Sequence, residues 1–333
     1  MNVVDLFCGA GGLSHGMQQA GFNIVGGLDS KEWLKETFEK NHQKSTFLAT
    51  DIRKVDGENL EEVFGKIDIL MGCPPCQGFS SYTNNDDDKR NLLLDDFGRI
   101  LHTLQDKPEY VMLENVQGLA NQGEHILGRF LTLLKHLGYS NIAKDVVDMS
   151  KYGIPQKRRR FVLLASRNQE VNLPKPNNKS TTLQKIFENP LPKAKYVDEV
   201  DNPKNVNWHI TTRPSKIVKQ RIQCLNEGDD RTKIPNKLRP KCHKNKNTGY
   251  LNVYARMTRE KPSPTVTSRF TTISSGRWVH PTEDRPITVR EAARIQTFPD
   301  NFQFHSDSYN KVKKMIGNAF PPAFARQIGI KLN

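Results

Sequence analysis

Short apolar runs separated by segments of helical spacing fill the first half of the chain, the pattern of a sheet covered by helices. Strand-like runs fall at residues 3–7, 23–28, 67–72, 110–115 and 161–165. Between them Leu13/Met17/Ala20, Trp33/Leu34/Phe38, Leu93/Phe97/Ile100/Leu104 and Ile126/Phe130/Leu133/Leu137 recur every three or four residues, which puts each set on one helix face. An α/β domain is therefore predicted up to about residue 166. Beyond Arg167 the pattern dissolves into NLPKPNNKS, NPLPKAK and DNPKNVN, where proline excludes regular helix and the polar residues offer little to bury. A loop-rich second domain is predicted there. Helical spacing returns at 288–296 and again from 308, so the last helices are expected to pack back on the first domain.

Length agrees with two unequal domains, since 333 residues exceed what one core usually holds. No apolar run approaches the roughly 20 residues a membrane-spanning helix needs, and MNVVDLF enters a strand without a basic leader. The cytoplasm, beside the nucleoid, is the expected location. Charge changes the picture more: the formal net charge is +14, and residues 204–260 hold fourteen basic against four acidic residues. A surplus so placed favours a polyanionic partner. Five cysteines, Cys8, Cys73, Cys76, Cys224 and Cys242, are an odd number and argue against a disulfide framework.

Two clusters carry candidate chemistry. The first strand runs into DLFCGAGGLSHG, where Gly9, Gly11 and Gly12 permit a tight turn before a helix, and Asp29 follows Gly9 by twenty residues at the end of the second strand. A strand-end carboxylate there can accept from ribose hydroxyls, so a nucleoside-containing cofactor is predicted. Ser14 at the sixth position of the glycine pattern fits a nicotinamide dehydrogenase poorly, and Asp51 in ATDI ends another apolar segment. In the second cluster GCPPCQGFS follows IDILM, which places Cys76 in a loop at a strand's carboxyl end. Zinc binding by Cys73 and Cys76 would need a second pair, and only Cys242-His243 offers one. A thioredoxin-like pair is disfavoured by Pro75, whereas burial of Cys76 as a small hydrophobe competes with a nucleophilic role. Glu114 in LENV and Arg158 and Arg160 in PQKRRR also sit beside strands, and thiol, carboxyl and guanidinium together are what addition to an electron-poor ring requires.

In order and spacing, DLFCGAGGLS, ATDI, GCPPCQGFS, LENV, QKRRR, RPITVREAARIQTFPD and GNAFPP resemble the motif set of cytosine-5 DNA methyltransferases of the short bacterial restriction-modification type. The likeness covers the chain except about residues 175–253. It implies a Rossmann-like S-adenosylmethionine-dependent sheet domain (1–178), a target-recognition domain (179–284), a connecting hinge (285–311) and C-terminal helices returning to the first domain (312–333). It also implies that S-adenosylmethionine lies among Asp5, Phe7, Gly9, Ala10, Gly11, Gly12, Asp29, Asp51, Ile52, Pro75, Leu93 and Asn318. Cys76 would attack the base and Glu114 would meet its nitrogen edge. Arg160 would contact the cytosine carbonyl, and Arg158 would support Glu114 or a phosphate. Ser80 would hold the flipped nucleotide's backbone, with Gln77 beside it on the DNA. The implied partner is double-stranded DNA, met by a monomer with no obligate protein partner.

Asp29 and Ser30 stand where the family more often has a glutamate and an aromatic residue, and Phe320 replaces the usual valine of GNAVPP. The subgroup acting on transfer RNA carries a Cys-Phe-Thr tripeptide that is absent here. A silent DNA-binding regulator on the same fold would not need Cys76, Glu114 and Arg160 together. For base reading the candidates are Arg256 in NVYARM and Arg269 in TVTSRF, because arginine matches guanine's two acceptors.

Overall fold

The computed structural model describes residues 1–75, 92–177, 180–189 and 191–333, and Cys76, Gln77 and Ser80 lie outside the described residues. The chain divides into two compact units. The first comprises Met1–Tyr152, Arg159–Asn177 and Ala319–Asn333; the second comprises Gly153–Arg158 and Asn178–Asn318.

In the first unit seven strands, β1 (Asn2–Leu6), β2 (Asn23–Asp29), β3 (Thr46–Ala49), β4 (Ile69–Gly72), β5 (Tyr110–Val116), β6 (Asn141–Asp148) and β7 (Arg159–Ser166), form one sheet in the order β3-β2-β1-β4-β5-β7-β6. The first five are parallel, while β7 runs antiparallel to both β5 and β6. Side-chain alternation assigns the two faces. Val4 and Leu6 of β1, Val111 and Leu113 of β5, and Phe161 and Leu163 of β7 share an apolar cluster with Phe97, Leu101 and Phe130. That cluster lies under α4 (Leu93–Thr103) and α5 (Glu124–His136), with α3 (Gly57–Phe64) adding Leu60 and Phe64. The opposite parity, Asp5 of β1, faces α1 (Gly12–Gln19), whose Ser14 hydroxyl donates to the Asp5 carboxylate at 2.6 Å. On β5 and β7 the same parity holds Glu114 and Arg160. The helix Pro322–Leu332 packs on α1 so closely that a Cβ at Gly16 would meet the Pro322 carbonyl oxygen at 2.3 Å. Helix α2 (Lys35–Asn41) leads into β3.

Among the described residues of the second unit are the α-helices α6 (Gln184–Glu188), α7 (Lys216–Gln223), α8 (Val289–Ile295) and α9 (Tyr309–Asn318), and a two-stranded pair, Lys195–Tyr196 with Ile210–Thr211. The remainder is turns and irregular chain, as the prolines and asparagines predict. These units depart from the boundaries expected from the sequence. Residues 285–311, expected as a hinge, belong to the second unit, where Arg285, Arg290 and Glu291 are buried. A Thr288–Glu291 capping box starts α8 there. Helix α9 also belongs to the second unit and not to the first: a Cβ at Gly317 would fall 2.3 Å from the Ser268 nitrogen, so its backbone lies against the 267–268 chain. Residues 153–158 are drawn to the same unit by Lys157 N donating to Ser263 O at 2.8 Å and Gln156 Nε2 donating to Gln296 Oε1 at 2.8 Å. Among the described residues no helix is long and apolar enough to cross a membrane.

Candidate active site

In an open parallel sheet, ligands gather beyond the carboxyl ends of the strands where the strand order reverses. Here that point is β1, flanked by β2 on one side and β4 on the other. The chain leaving β1 passes through three left-handed residues, Phe7 (φ 61°), Gly9 (φ 54°) and Gly11 (φ 83°), before α1 begins. Nothing lies within 4 Å of a Cβ built on Gly9, so backbone and open space meet there. Gly11 is constrained differently, because a Cβ would fall 2.4 Å from Cε1 of His42. The His42 imidazole is buried beside the turn, with Nδ1 2.8 Å from the Phe38 carbonyl oxygen, and burial lowers its pKa to about 4. His42 was not singled out in the sequence, and an isolated histidine at a helix end gives no signal of such packing.

Asp29 ends β2 and ties its own loop to the glycine turn. Its carboxylate accepts from Gly9 N at 3.2 Å and from Lys31 N at 3.1 Å. Burial raises its pKa, while the backbone donors of Lys31 and Gly9 oppose that rise. Asp51 caps the short turn Ile52–Lys54 and is held by Arg53 Nε at 2.9 Å; that hydrogen bond, more than anything else, takes its pKa down to about 2. Ile52 is buried, and its carbonyl accepts from Arg99 at 2.8 Å. Pro75 and Leu93, at the two ends flanking the undescribed segment, are half-buried. A turn with open backbone and a strand-end carboxylate fit a nucleoside-bearing cofactor. Asp5 is 1% exposed, with one carboxylate oxygen accepting from the Ser14 hydroxyl and burial pushing its carboxyl up to about 7, and Ala10 is buried. Asn318 closes α9 and is exposed, in the second unit.

At the neighbouring strand ends, Glu114 and Arg160 form an ion pair, Nε to Oε1 at 2.8 Å, with side-chain exposures of 10% and 18%. The register explains it: Glu114 lies opposite Val162, so Arg160 is its diagonal neighbour on the same face. The next residue, Asn115, points to the other parity and donates Nδ2 to the Pro74 carbonyl at 3.0 Å. This bond fixes the chain leaving β4 two residues before Cys76. LENV thus places two side chains, of which the sequence singles out only Glu114. Arg158 is buried in the second unit, where it donates to the Val266 carbonyl at 3.2 Å.

The two base-reading candidates part company. Arg256 is 4% exposed and its fork is filled from within: the carbonyls of Leu225, His280, Glu283 and Ile222 accept at 2.8–2.9 Å, and Asp284 at 2.6 Å. It is a structural residue, because a guanidinium so enclosed has no donor left for a base. Arg269 is exposed, and its loop is held by its own carbonyl accepting from Ser275 Oγ at 3.1 Å.

Comparison with known proteins agrees with this geometry. The family model of C-5 cytosine-specific DNA methylases matches residues 1–333. The Type II methylase M.HgiDII of Herpetosiphon aurantiacus is 33% identical over 340 residues, spanning 98% of this chain and 93% of that protein. The Type II methyltransferase M1.BsuMI of Bacillus subtilis is also 33% identical over 340 residues, covering 96% of this chain and 78% of that one. Among solved structures, a prophage-encoded DNA modification methyltransferase of E. coli superposes with a TM-score of 0.76 at 26% identity, over 100% of this chain and 98% of the other. A glycine turn and carboxylate at the switch point, a carboxylate–guanidinium pair at the next strand ends and a match along the whole chain lead to one conclusion: the chain belongs to the C-5 cytosine-specific DNA methylases, enzymes that methylate cytosine in DNA.

Proposed function

We propose that the chain methylates a specific site in double-stranded DNA by covalent catalysis through Cys76, as the modification half of a restriction-modification system. Support for the last point comes from the Type II names of the relatives. Carbon 5 of cytosine is a poor nucleophile, so it must first be activated. The Cys76 thiolate adds to carbon 6 while Glu114 hydrogen-bonds the ring nitrogen edge, and electron density moves to carbon 5. S-adenosylmethionine supplies the methyl group that carbon 5 takes. Loss of the carbon-5 proton then expels the thiolate and restores the ring. Arg160 orients the Glu114 carboxylate and lies beside the cytosine carbonyl. Asp29 and the Phe7–Gly9–Gly11 turn would hold the cofactor, with Asp51, Ile52, Pro75 and Leu93 around it. None of this reaches a stacked base, so the nucleotide is flipped out at a cost of a few kcal/mol, which contacts from Ser80 and Gln77 help to offset.

The observation that carries the reading is the 2.8 Å Glu114–Arg160 pair on the strand beside the Asn115-anchored Pro74. The enzyme acts as a cytoplasmic monomer on duplex DNA. Incubation of duplex DNA with labelled S-adenosylmethionine, followed by bisulfite sequencing, is expected to place the methyl on carbon 5 of one cytosine within a fixed sequence. Label on an exocyclic nitrogen would overturn the mechanism.

A further inference from the structure

The basic surplus of residues 204–260 divides by residue type. All six arginines of that stretch, Arg213, Arg221, Arg231, Arg239, Arg256 and Arg259, donate to acceptors of their own unit. All eight lysines are exposed, and no ammonium among them meets an acceptor among the described residues. The contrast is sharpest in residues 231–250, which contain no Asp or Glu. Arg231 is 3% exposed, and its guanidinium takes the carbonyls of Lys246 at 2.8 Å, Thr248 at 2.6 Å and Tyr250 at 3.2 Å. Arg239 takes the carbonyls of Ile234 at 2.7 Å and Thr232 at 2.5 Å, and the Asn247 side chain at 2.9 Å. Asn236 and Asn245 close the loop with reciprocal bonds of 2.6 and 3.0 Å. Almost no regular structure supports this segment, so two guanidinium forks substitute for a strand ladder. Lys233, Lys237, Lys241, Lys244 and Lys246 project from it with no acidic neighbour in sequence.

We infer that residues 231–250 form an arginine-pinned arm that grips the DNA phosphate backbone through its lysines, with Arg231 and Arg239 as positioning residues that do not touch DNA. The inference rests on the DNA-methylating reading above and assigns separate tasks to two kinds of cation. A fixed loop presents its charges without the ordering cost of a flexible one, which is why the pins matter for affinity.

The test compares charge removal with charge conservation. Binding of a short fluorescent duplex to the whole protein is measured against salt, alongside thermal unfolding. Replacing Lys237, Lys241, Lys244 and Lys246 together by glutamine is expected to weaken binding to all sequences alike. It should lower the salt slope by about 0.9 for each phosphate no longer neutralised and leave the unfolding temperature in place. Arg231→Lys keeps the formal charge but loses the fork, and is expected to weaken binding by a comparable factor while opening residues 232–250 to limited proteolysis. Wild-type affinity and slope in the glutamine variant would overturn the arm. Undiminished affinity in Arg231→Lys would overturn the positioning role. Both results are distinct from failure of the parent reading, which would appear as wild-type protein that binds duplex without transferring a methyl group to carbon 5.

Discussion

The two units of this chain are held together by different means. In the first, the strand ladder satisfies the backbone and a continuous apolar cluster from Val4 to Ala165 covers one face of the sheet. In the second, Ile222, Ile273 and Val279 form one small cluster with Val218 and Tyr254 against it, and other apolar side chains are buried elsewhere among the described residues, including the tilted and edge-on rings of Phe298, Phe302 and Phe304. Its irregular backbone leaves carbonyls without strand or helix partners, and buried or half-buried arginines take them up. Arg277 serves the carbonyls of Gly228, Asp229 and Arg256, while Arg290 serves those of Asn207, Pro299 and Phe302. A guanidinium has five donors in a rigid plane, enough to replace several ladder bonds at once. A basic composition therefore has two sources, internal arginine scaffolding and exposed lysines, the latter assigned above to grip, and counting charges merges them.

The largest effect expected separates chemistry in the first unit from grip in the second. Cys76→Ala should lower methyl transfer by at least about a thousandfold, since in the proposed mechanism its thiolate supplies the bond to carbon 6. Its duplex affinity and its response to S-adenosylmethionine in thermal unfolding should persist. Loss of duplex binding together with transfer would break the division. Cys73→Ala should retain most of the activity, and equal loss in both variants would revive a paired-thiol reading.

Next in size is the scaffold itself. Arg256→Lys keeps one positive charge but offers three donors in place of five, so at least two of the acceptors, four carbonyls and the Asp284 carboxylate, lose their partner and a destabilisation of roughly 3–5 kcal/mol is expected. Thermal unfolding followed by calorimetry should show that loss, with the transition of the first unit unmoved if the two melt separately. A change below about 1 kcal/mol would mean that water replaces the fork at no cost, and the scaffolding argument would fail.

Acid should find the second unit through the pair formed by Arg285 and Glu291. Burial pushes the Glu291 carboxyl up, but the hydrogen bonds and charge of Arg285 at 2.8 Å outweigh it, for a net pKa of about 2. The folded state thus prefers the ionised form. The resulting stabilisation is complete above the ordinary carboxylate value near 4.5 and fades as pH falls toward 2, on the order of 3 kcal/mol in all. His280, lowered to about 4 by burial, adds a loss that begins as pH drops below 6.5. Asp5 in the first unit has the opposite sign: its carboxyl is raised to about 7 by burial, so it costs stability as pH rises from about 4 to 7. Glu291→Gln should lower the unfolding temperature most at pH 7 and least near pH 2. Asp5→Asn should help more at pH 8 than at pH 5.

These contrasts explain what could be read from the residues alone. The sheet was legible where strands are buried on both faces, as in VVDLF, IDILM and YVMLEN, because continuous apolar runs survive without knowledge of partners. Strand β6 escaped because it is an edge: Lys144 and Asp145 are exposed, and NIAKDVVD reads as half-polar. The candidate site residues were legible as motifs, but the contacts they make depended on register. Nothing in QKRRR says that Arg160 meets Glu114 while Arg158 turns to Val266. The second unit was the least legible, since a fork that finds carbonyls 24 to 34 residues away leaves no periodic trace.

The smallest effect expected concerns Arg269, the base-reading candidate whose guanidinium remains available. Its loop is anchored at the neighbouring backbone by Thr272 N donating to the Arg269 carbonyl at 2.8 Å, so the side chain extends from a fixed base. If it reads a guanine through its two acceptors, Arg269→Ala should cost roughly 1–3 kcal/mol on the target site and relax the choice at a single position. On duplexes already altered at that position the same substitution should change little. A phosphate contact would behave differently, weakening every duplex equally and lowering the salt slope by about 0.9. Measuring the variant on the target and on each single-base change at two salt concentrations separates the two. Uniform weakening would move Arg269 into the class of the exposed lysines and place sequence readout on other side chains of the second unit.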